Sequence, residues 1–515
     1  MKNFLRKIVR FFRVNGISIA ITAGVIAVAV VLNTVIYSMT SLFGLYLYKP
    51  ETDDLSLSGA TDDLFAEAID RNKTVNITFC MAESKLRQHD TGRFVISTLD
   101  QLVERHPGFI NVDYVNILTG LDENGKRVDL DKYTKDMRGE DVPFNTTSII
   151  FSSGEGVNEN YRVVTDTYSG AGFADFFTLD NDGNASAYIG EEVLSAMISW
   201  VLHDEHKVAY FTSGHGEMTS IAFTNLLSCA GYYVDTVNLR DKDADSILAA
   251  ENTGMVIISE PSSDFERAVQ GSKVDAEIEK LDTYLSHGGK LYVAIDPYVK
   301  ALPVLEGFLS SHGITLAGRA IEGGSYAREM VSDHTMGVTS DGLTFVVEHA
   351  DGSVSDAIAA TVDKYGKGRV LVSRASRLVL SGEGRALLLT SPDAVVTAGS
   401  QTVDSEGGYC VAAYTEIKND YNENGRIFVV ASSLLTNSDV LITNNYSNKD
   451  FVYSVFEELF DSPSSPYGCK NVVYNTAILE NLTMGTARIY TAILIAIPVI
   501  IAAAGAVIVI RRRRR

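Results

Sequence analysis

The residues best placed to do chemistry lie in one short stretch, Lys207-Val-Ala-Tyr-Phe-Thr-Ser-Gly-His-Gly-Glu217. Ser213 and His215 offer a hydroxyl and an imidazole, the two groups of a hydrolase nucleophile and base. Residues two apart on a turn tend to point apart, so the pairing has no ready geometry. His215 and Glu217 suit two other roles: hydrogen-bonding the turn and the start of the following helix, or contacting a ligand or partner. Just upstream, His203-Asp-Glu-His206 adds imidazole and carboxylate. Those groups lack the i, i+4 spacing of helix-borne metal ligands and read as a solvated corner, so no metal is assigned.

Other reactive chemistry is missing its parts. An amidotransferase-like site needs a Cys at a strand-to-helix elbow. The tight turns here, Ser213-Gly-His-Gly216 and Ser259-Glu-Pro261, contain none. Cys80, Cys229, Cys410 and Cys469 are widely spaced with no CxxC pair, and read as small apolar fillers. Leu380-Ser-Gly-Glu-Gly-Arg385 imitates the LSGGQ signature of ABC ATPases, but no GxxxxGK phosphate loop accompanies it. The expectation is a chain with no catalytic residue, no metal and no cofactor. Its candidate ligand- or partner-binding residues are Ser213, His215 and Glu217.

The elements that must position this turn follow from the apolar pattern. Val208 to Phe211 is an unbroken apolar run, as for a strand buried on both faces of a parallel sheet. From about Met218 to Ala230 the pattern is helical, with Gly231 as the stop. A helix over Glu191–Leu202 leads in, with Leu194, Met197, Ile198 and Val201 on one face and Glu191 and Glu192 at its positive end. Further apolar strands at Met255–Ile258 and Lys290–Pro297 alternate with helices. Residues 206–297 therefore read as a doubly wound parallel sheet. In such sheets ligands bind at the carboxyl ends of the strands.

The 515 residues are too many for one ordinary core. The predicted division is 49–205, an N-terminal α/β domain; 206–313, the doubly wound domain; 314–460, a β-rich region with a closing strand and helix; and 461–488, a tether. Net charge is −21. Setting aside ten cations at the two ends leaves 34 basic against 65 acidic residues, a net of −31. A body that acidic repels nucleic acid.

Two apolar stretches, 17–37 and 489–510, predict transmembrane helices of ~30 Å each. Cations flank their outer ends, in the basic tail 1–16 and the Arg tail 511–515. By the positive-inside rule both termini are then cytoplasmic and residues ~49–488 extracytoplasmic, with membrane lipid as a neighbour.

Several stretches together resemble the auxiliary components of gliding-motility-type ABC transporters. Val208-Ala-Tyr-Phe-Thr-Ser-Gly-His-Gly-Glu217 is similar to that family's VYFLTGHGE, and Ile278 to Pro297, with LDTYLSHGGKLYVAIDP, to its LxxYLxxGGxLLxxxDP. Leu387-Leu-Leu-Thr-Ser-Pro392 matches LLxTSP, and Ile427 to Leu459 resembles the closing strand, turn and helix. Asp54-Leu-Ser-Leu-Ser58 resembles the opening motif, with Leu-Ser where the family often has Thr. The resemblance implies a bacterial cell-membrane protein whose central part is like class I glutamine amidotransferases. It also implies partnership with a separately encoded permease and ATPase. The expected function is a non-catalytic, membrane-anchored auxiliary subunit that binds a substrate or partner. The rival is a membrane-anchored hydrolase or amidotransferase-like enzyme acting on envelope material.

Overall fold

Apolar runs flanked by helices fold here as the pattern predicts, and they build one long sheet. The computed structural model describes residues 55–165, 173–179, 185–268, 276–320, 326–366, 368–419, 424–432, 434–463 and 465–473. The helix α1 (Gly190–Leu202) enters the strand β1 (Val208–Thr212), followed by α2 (Ile221–Cys229), β2 (Tyr233–Val237) and β3 (Thr253–Ser259). Next come α3 (Glu277–Ser286) and β4 (Lys290–Ala294), then four strands of the β-rich region: β5 (Thr344–His349), β6 (Val370–Ser373), β7 (Arg385–Leu389) and β8 (Cys410–Ile417). The strand β9 (Gly425–Val430) and the helix α4 (Asn448–Phe460) close the series.

The order across the sheet is β6-β5-β7-β8-β9-β4-β3-β1-β2. From β2 to β9 every pairing is parallel. All of β4, and β3 from Gly254 on, is buried, which explains apolar runs without alternation. Val256, Ile258, Leu291, Val293, Ile427 and Val429 meet Leu281 and Leu285 of α3 in one core cluster. The order 2-1-3-4 reverses direction between β1 and β3, so the carboxyl ends of these two strands mark the topological switch point.

From β9 to β6 the pairings turn antiparallel. Part of the region that reads as β-rich thus lengthens the same sheet, while Gly318–Ala320, Tyr326–Ser332, Val395–Ala398 and Gln401–Asp404 form a separate four-stranded sheet. Its far edge is covered: Asn448 accepts from the Leu371 N–H at 2.8 Å and donates to the Leu371 carbonyl at 2.8 Å. A sheet edge so occupied is closed to further strands. The N-terminal sheet runs Leu121–Asp122, Ile110–Asn116, Val75–Phe79, Ile149–Ser153, Asn160–Val164. Every residue of α1 is buried, against the one-face reading, because it lies between this sheet and α2. Glu192 is consequently buried and paired, to Lys449 at 2.8 Å and Tyr453 Oη at 2.6 Å. Residues 465–473 also belong to the body, since Val472–Val473 pairs with Ala185–Tyr188 and Cys469 is buried.

The flanks of the expected fold class require correction. Among the described residues no helix is long and apolar enough to cross a membrane. The longest, Gly92–Arg105, has 14 residues, where a bilayer core needs about 20. The stretches 17–37 and 489–510, read as transmembrane helices, lie outside the described residues. No described element supports the flanking membrane helices, the cell-membrane address or the extracytoplasmic placement.

Candidate functional site

Thr212 ends β1, and the chain turns at once. Gly214 and Gly216 take φ of +108° and +69°, conformations that L side chains adopt only with strain. A Cβ at Gly216 would collide with Ser262 Oγ. This close approach brings the turn after β1 against the turn after β3. The His215 carbonyl accepts from the Ser262 and Ser263 N–H groups, both at 2.9 Å, and from Ser262 Oγ at 3.1 Å. The Met218 N–H donates to the Ser259 carbonyl at 2.9 Å.

His215 is 0% exposed. Its Nδ1 lies 3.1 Å from Glu217 Oε1, and its Nε2 lies 3.0 Å from Glu277 Oε1 and 3.1 Å from Glu277 Oε2. Its ring stacks on Phe265, with centroids 3.9 Å apart and planes 15° apart. Burial alone would lower the imidazole pKa, but the two carboxylates outweigh it and raise it to about 9. Burial likewise opposes ionisation of Glu217, yet hydrogen bonds from His215 dominate and hold it at about 2. Glu277, reached also by Arg240 Nε at 3.3 Å and the Glu266 N–H at 2.7 Å, is held below its ordinary value. At neutral pH the turn therefore contains an imidazolium with both ring N–H groups donated to carboxylates.

Of the residues singled out in the sequence, His215 and Glu217 are brought together. Ser213 is not joined to them, because both nitrogens of His215 are taken; its N–H donates to the Val237 carbonyl at 3.0 Å. The corner at 203–206 is only partly solvated. Asp204 and Glu205 are exposed, but His206 stacks on Trp200 at 3.3 Å between centroids, and burial drives its pKa down to about 3. Among the described residues no group of three His, Cys, Asp or Glu side chains is arranged to hold a metal. All four cysteines are free and buried, and burial pushes their thiols up, Cys80 and Cys410 to about 12. A cavity of about 30 Å³ beside Glu192, Cys229, Lys449 and Asn471 has room for water alone.

Two residues of the site escape sequence reading. Glu277 lies far along the chain from His215, and only the β3-to-α3 crossover brings it back. Glu260 sits in the Ser259-Glu-Pro261 turn, which lacks the Cys of an amidotransferase elbow. It has φ +49°, a left-handed conformation unusual for Glu, fixed by its N–H donating to the Ala294 carbonyl of β4 at 2.8 Å. Burial raises its carboxyl and nearby Asp296 raises it further, to about 7. The signal was the Glu-Pro pair directly after a buried strand.

No protein-family model matches this chain, and no curated protein matches it. Among solved structures, the mmIFT52 N-terminal domain is similar at 16% identity and a TM-score of 0.36, over 49% of this chain and 97% of that one. A cytoplasmic protein from Salmonella typhimurium is similar at 11% identity and 0.28, over 48% and 97%. A ThuA-like protein from Bacteroides uniformis is similar at 11% identity and 0.28, over 51% and 94%. Likenesses this weak bear on neither activity nor partner.

Proposed function

We propose that the chain is a non-catalytic auxiliary subunit of an ABC transport system that binds a partner or substrate at the carboxyl edge of its parallel strands. The observation that carries this reading is the closed turn after β1. A general base must present a free lone pair within reach of a substrate proton. His215 is buried, doubly engaged and protonated at neutral pH, so it offers Ser213 no base. Buried thiols with raised pKa values likewise disfavour a thiolate nucleophile. These features favour binding over turnover. The ordered motif resemblance supplies the partner class, a permease and an ATPase.

The experiment is affinity purification of the full chain, wild type and Glu217→Gln, with identification of bound proteins and an assay of hydrolytic turnover on envelope material. Recovery of an ABC ATPase and permease with both chains, and no turnover that Glu217→Gln abolishes, is the expected result. Turnover lost in Glu217→Gln with the complex intact would favour the hydrolase or amidotransferase-like reading instead.

A further inference from the structure

The carboxyl edge carries more than the closed turn. Met218 and Ile221, just after β1, are 68% and 64% exposed, and Tyr298, just after β4, is 59% exposed. Sheet order places β3 between β1 and β4. Hydrogen bonds make the edge continuous: Met218 N–H to the Ser259 carbonyl, Ser259 Oγ to the Met218 carbonyl, and Glu260 N–H to the Ala294 carbonyl. Glu260 therefore stands between the two apolar ends, half-buried, beside Asp296. The nearby cation Arg374 is already seated over the Tyr298 ring, 5.4 Å from its centroid. Exposed apolar side chains at the two ends of this edge, with two carboxylates between them, give it the mixed character of a binding surface.

We infer that this edge docks a partner-protein segment presenting Lys or Arg between apolar side chains, with Met218, Ile221 and Tyr298 taking the apolar groups and Glu260 the cation. Charge complementarity selects that occupant. A cation placed at Glu260 relieves its repulsion with Asp296, while an anion there adds to it. The net of −31 outside the two chain ends also steers basic segments inward. The inference rests on the reading of this edge as a binding face and adds the chemistry of what binds.

The test uses the full chain and labelled peptides of equal leucine content carrying Lys, Gln or Glu between the leucines, read by fluorescence anisotropy. The Lys peptide alone is expected to bind. Glu260→Gln and Met218→Ser with Ile221→Ser should each weaken it about tenfold. Asp113→Asn and Leu118→Ser, exposed positions on the N-terminal sheet side, should leave it unchanged. Equal binding of the Glu peptide, no binding of the Lys peptide, or equal weakening by Asp113→Asn would overturn the inference. A photocrosslinker at position 218 in cells separates it from the functional reading. A basic, apolar segment of an ABC ATPase or permease supports both. Such a segment from an unrelated protein supports the docking chemistry and sinks the ABC assignment. An acidic segment sinks the docking chemistry; if its source is an ABC component, the functional reading stands.

Discussion

The turn after β1 and the turn after β3 stand side by side at one edge of one sheet, yet they are built in opposite ways. In the first, every ionised group has its counter-charge: His215 lies between Glu217 and Glu277 and is fully buried. In the second, Glu260 is backbone-strained, half-buried and raised toward neutrality by its surroundings. A paired, buried charge network rigidifies, whereas a half-buried carboxyl beside a like charge gains from a cation brought to it. The difference teaches that the residues most conspicuous in the sequence form the brace, while the less conspicuous neighbouring turn keeps its carboxyl half-buried at the surface.

Breaking the brace should have the largest effect. His215→Ala leaves two carboxylates facing each other, with Glu277 1% exposed, and should cost about 3–5 kcal/mol by urea denaturation. Glu260→Ala, across the same edge, should cost far less. Next in size is Gly216→Ala. Its positive φ and the collision with Ser262 combine to cost about 1–3 kcal/mol, whereas Gly214→Ala, with Asn238 no nearer than 3.5 Å, meets backbone strain alone. A larger loss at Gly214 would contradict the close approach of the two turns.

The two turns should also differ in pH dependence, each losing stability as pH rises but in a different window. His215 has a folded pKa of about 9 against an ordinary 6.5, so its contribution is complete below about pH 6.5 and lost as pH rises through 9. Glu217, lowered to about 2, contributes above 4.5 and loses that contribution as pH falls through 2. Glu260 is raised from 4.5 to about 7, so stability falls as pH rises between those values, where only the folded state holds the proton. Glu260→Gln should flatten that decline in a series of denaturation midpoints; an unchanged slope would place the titration elsewhere. The smallest effect is expected of Met218→Ser and Ile221→Ser, both exposed. They should change stability by no more than ~0.5 kcal/mol while weakening the docking described above.

The strands of the parallel sheet were legible because burial on both faces demands unbroken apolar runs, as in Met255–Ile258 and Leu291–Ala294. The turn Ser213–Glu217 was legible because glycine is needed at positive φ. What joins elements distant in sequence was not legible. Glu277 reaches His215 across 62 positions, and Lys449 reaches Glu192 across 257. No local pattern encodes those pairings. The same limit hid the burial of α1 on all sides, since Glu191 and Glu192 read only as complements to its positive end until Ser58, Lys449 and Tyr453 are placed against them. Glu260 was hidden by chemistry, because its burial and its approach to Asp296 depend on strands that no local pattern joins. The membrane placement rested on residues 17–37 and 489–510, which no described helix replaces.

The central claim is that His215 is a doubly bonded imidazolium inside a closed brace. Histidine-selective ¹⁵N NMR of the full chain between pH 5 and 10, with His215→Gln for assignment, tests it directly. The account predicts both ring nitrogens protonated at pH 7 and a titration near pH 9. A His215 resonance that titrates near 6.5, or one neutral tautomer at pH 7, would contradict the brace and return the turn to the list of possible bases.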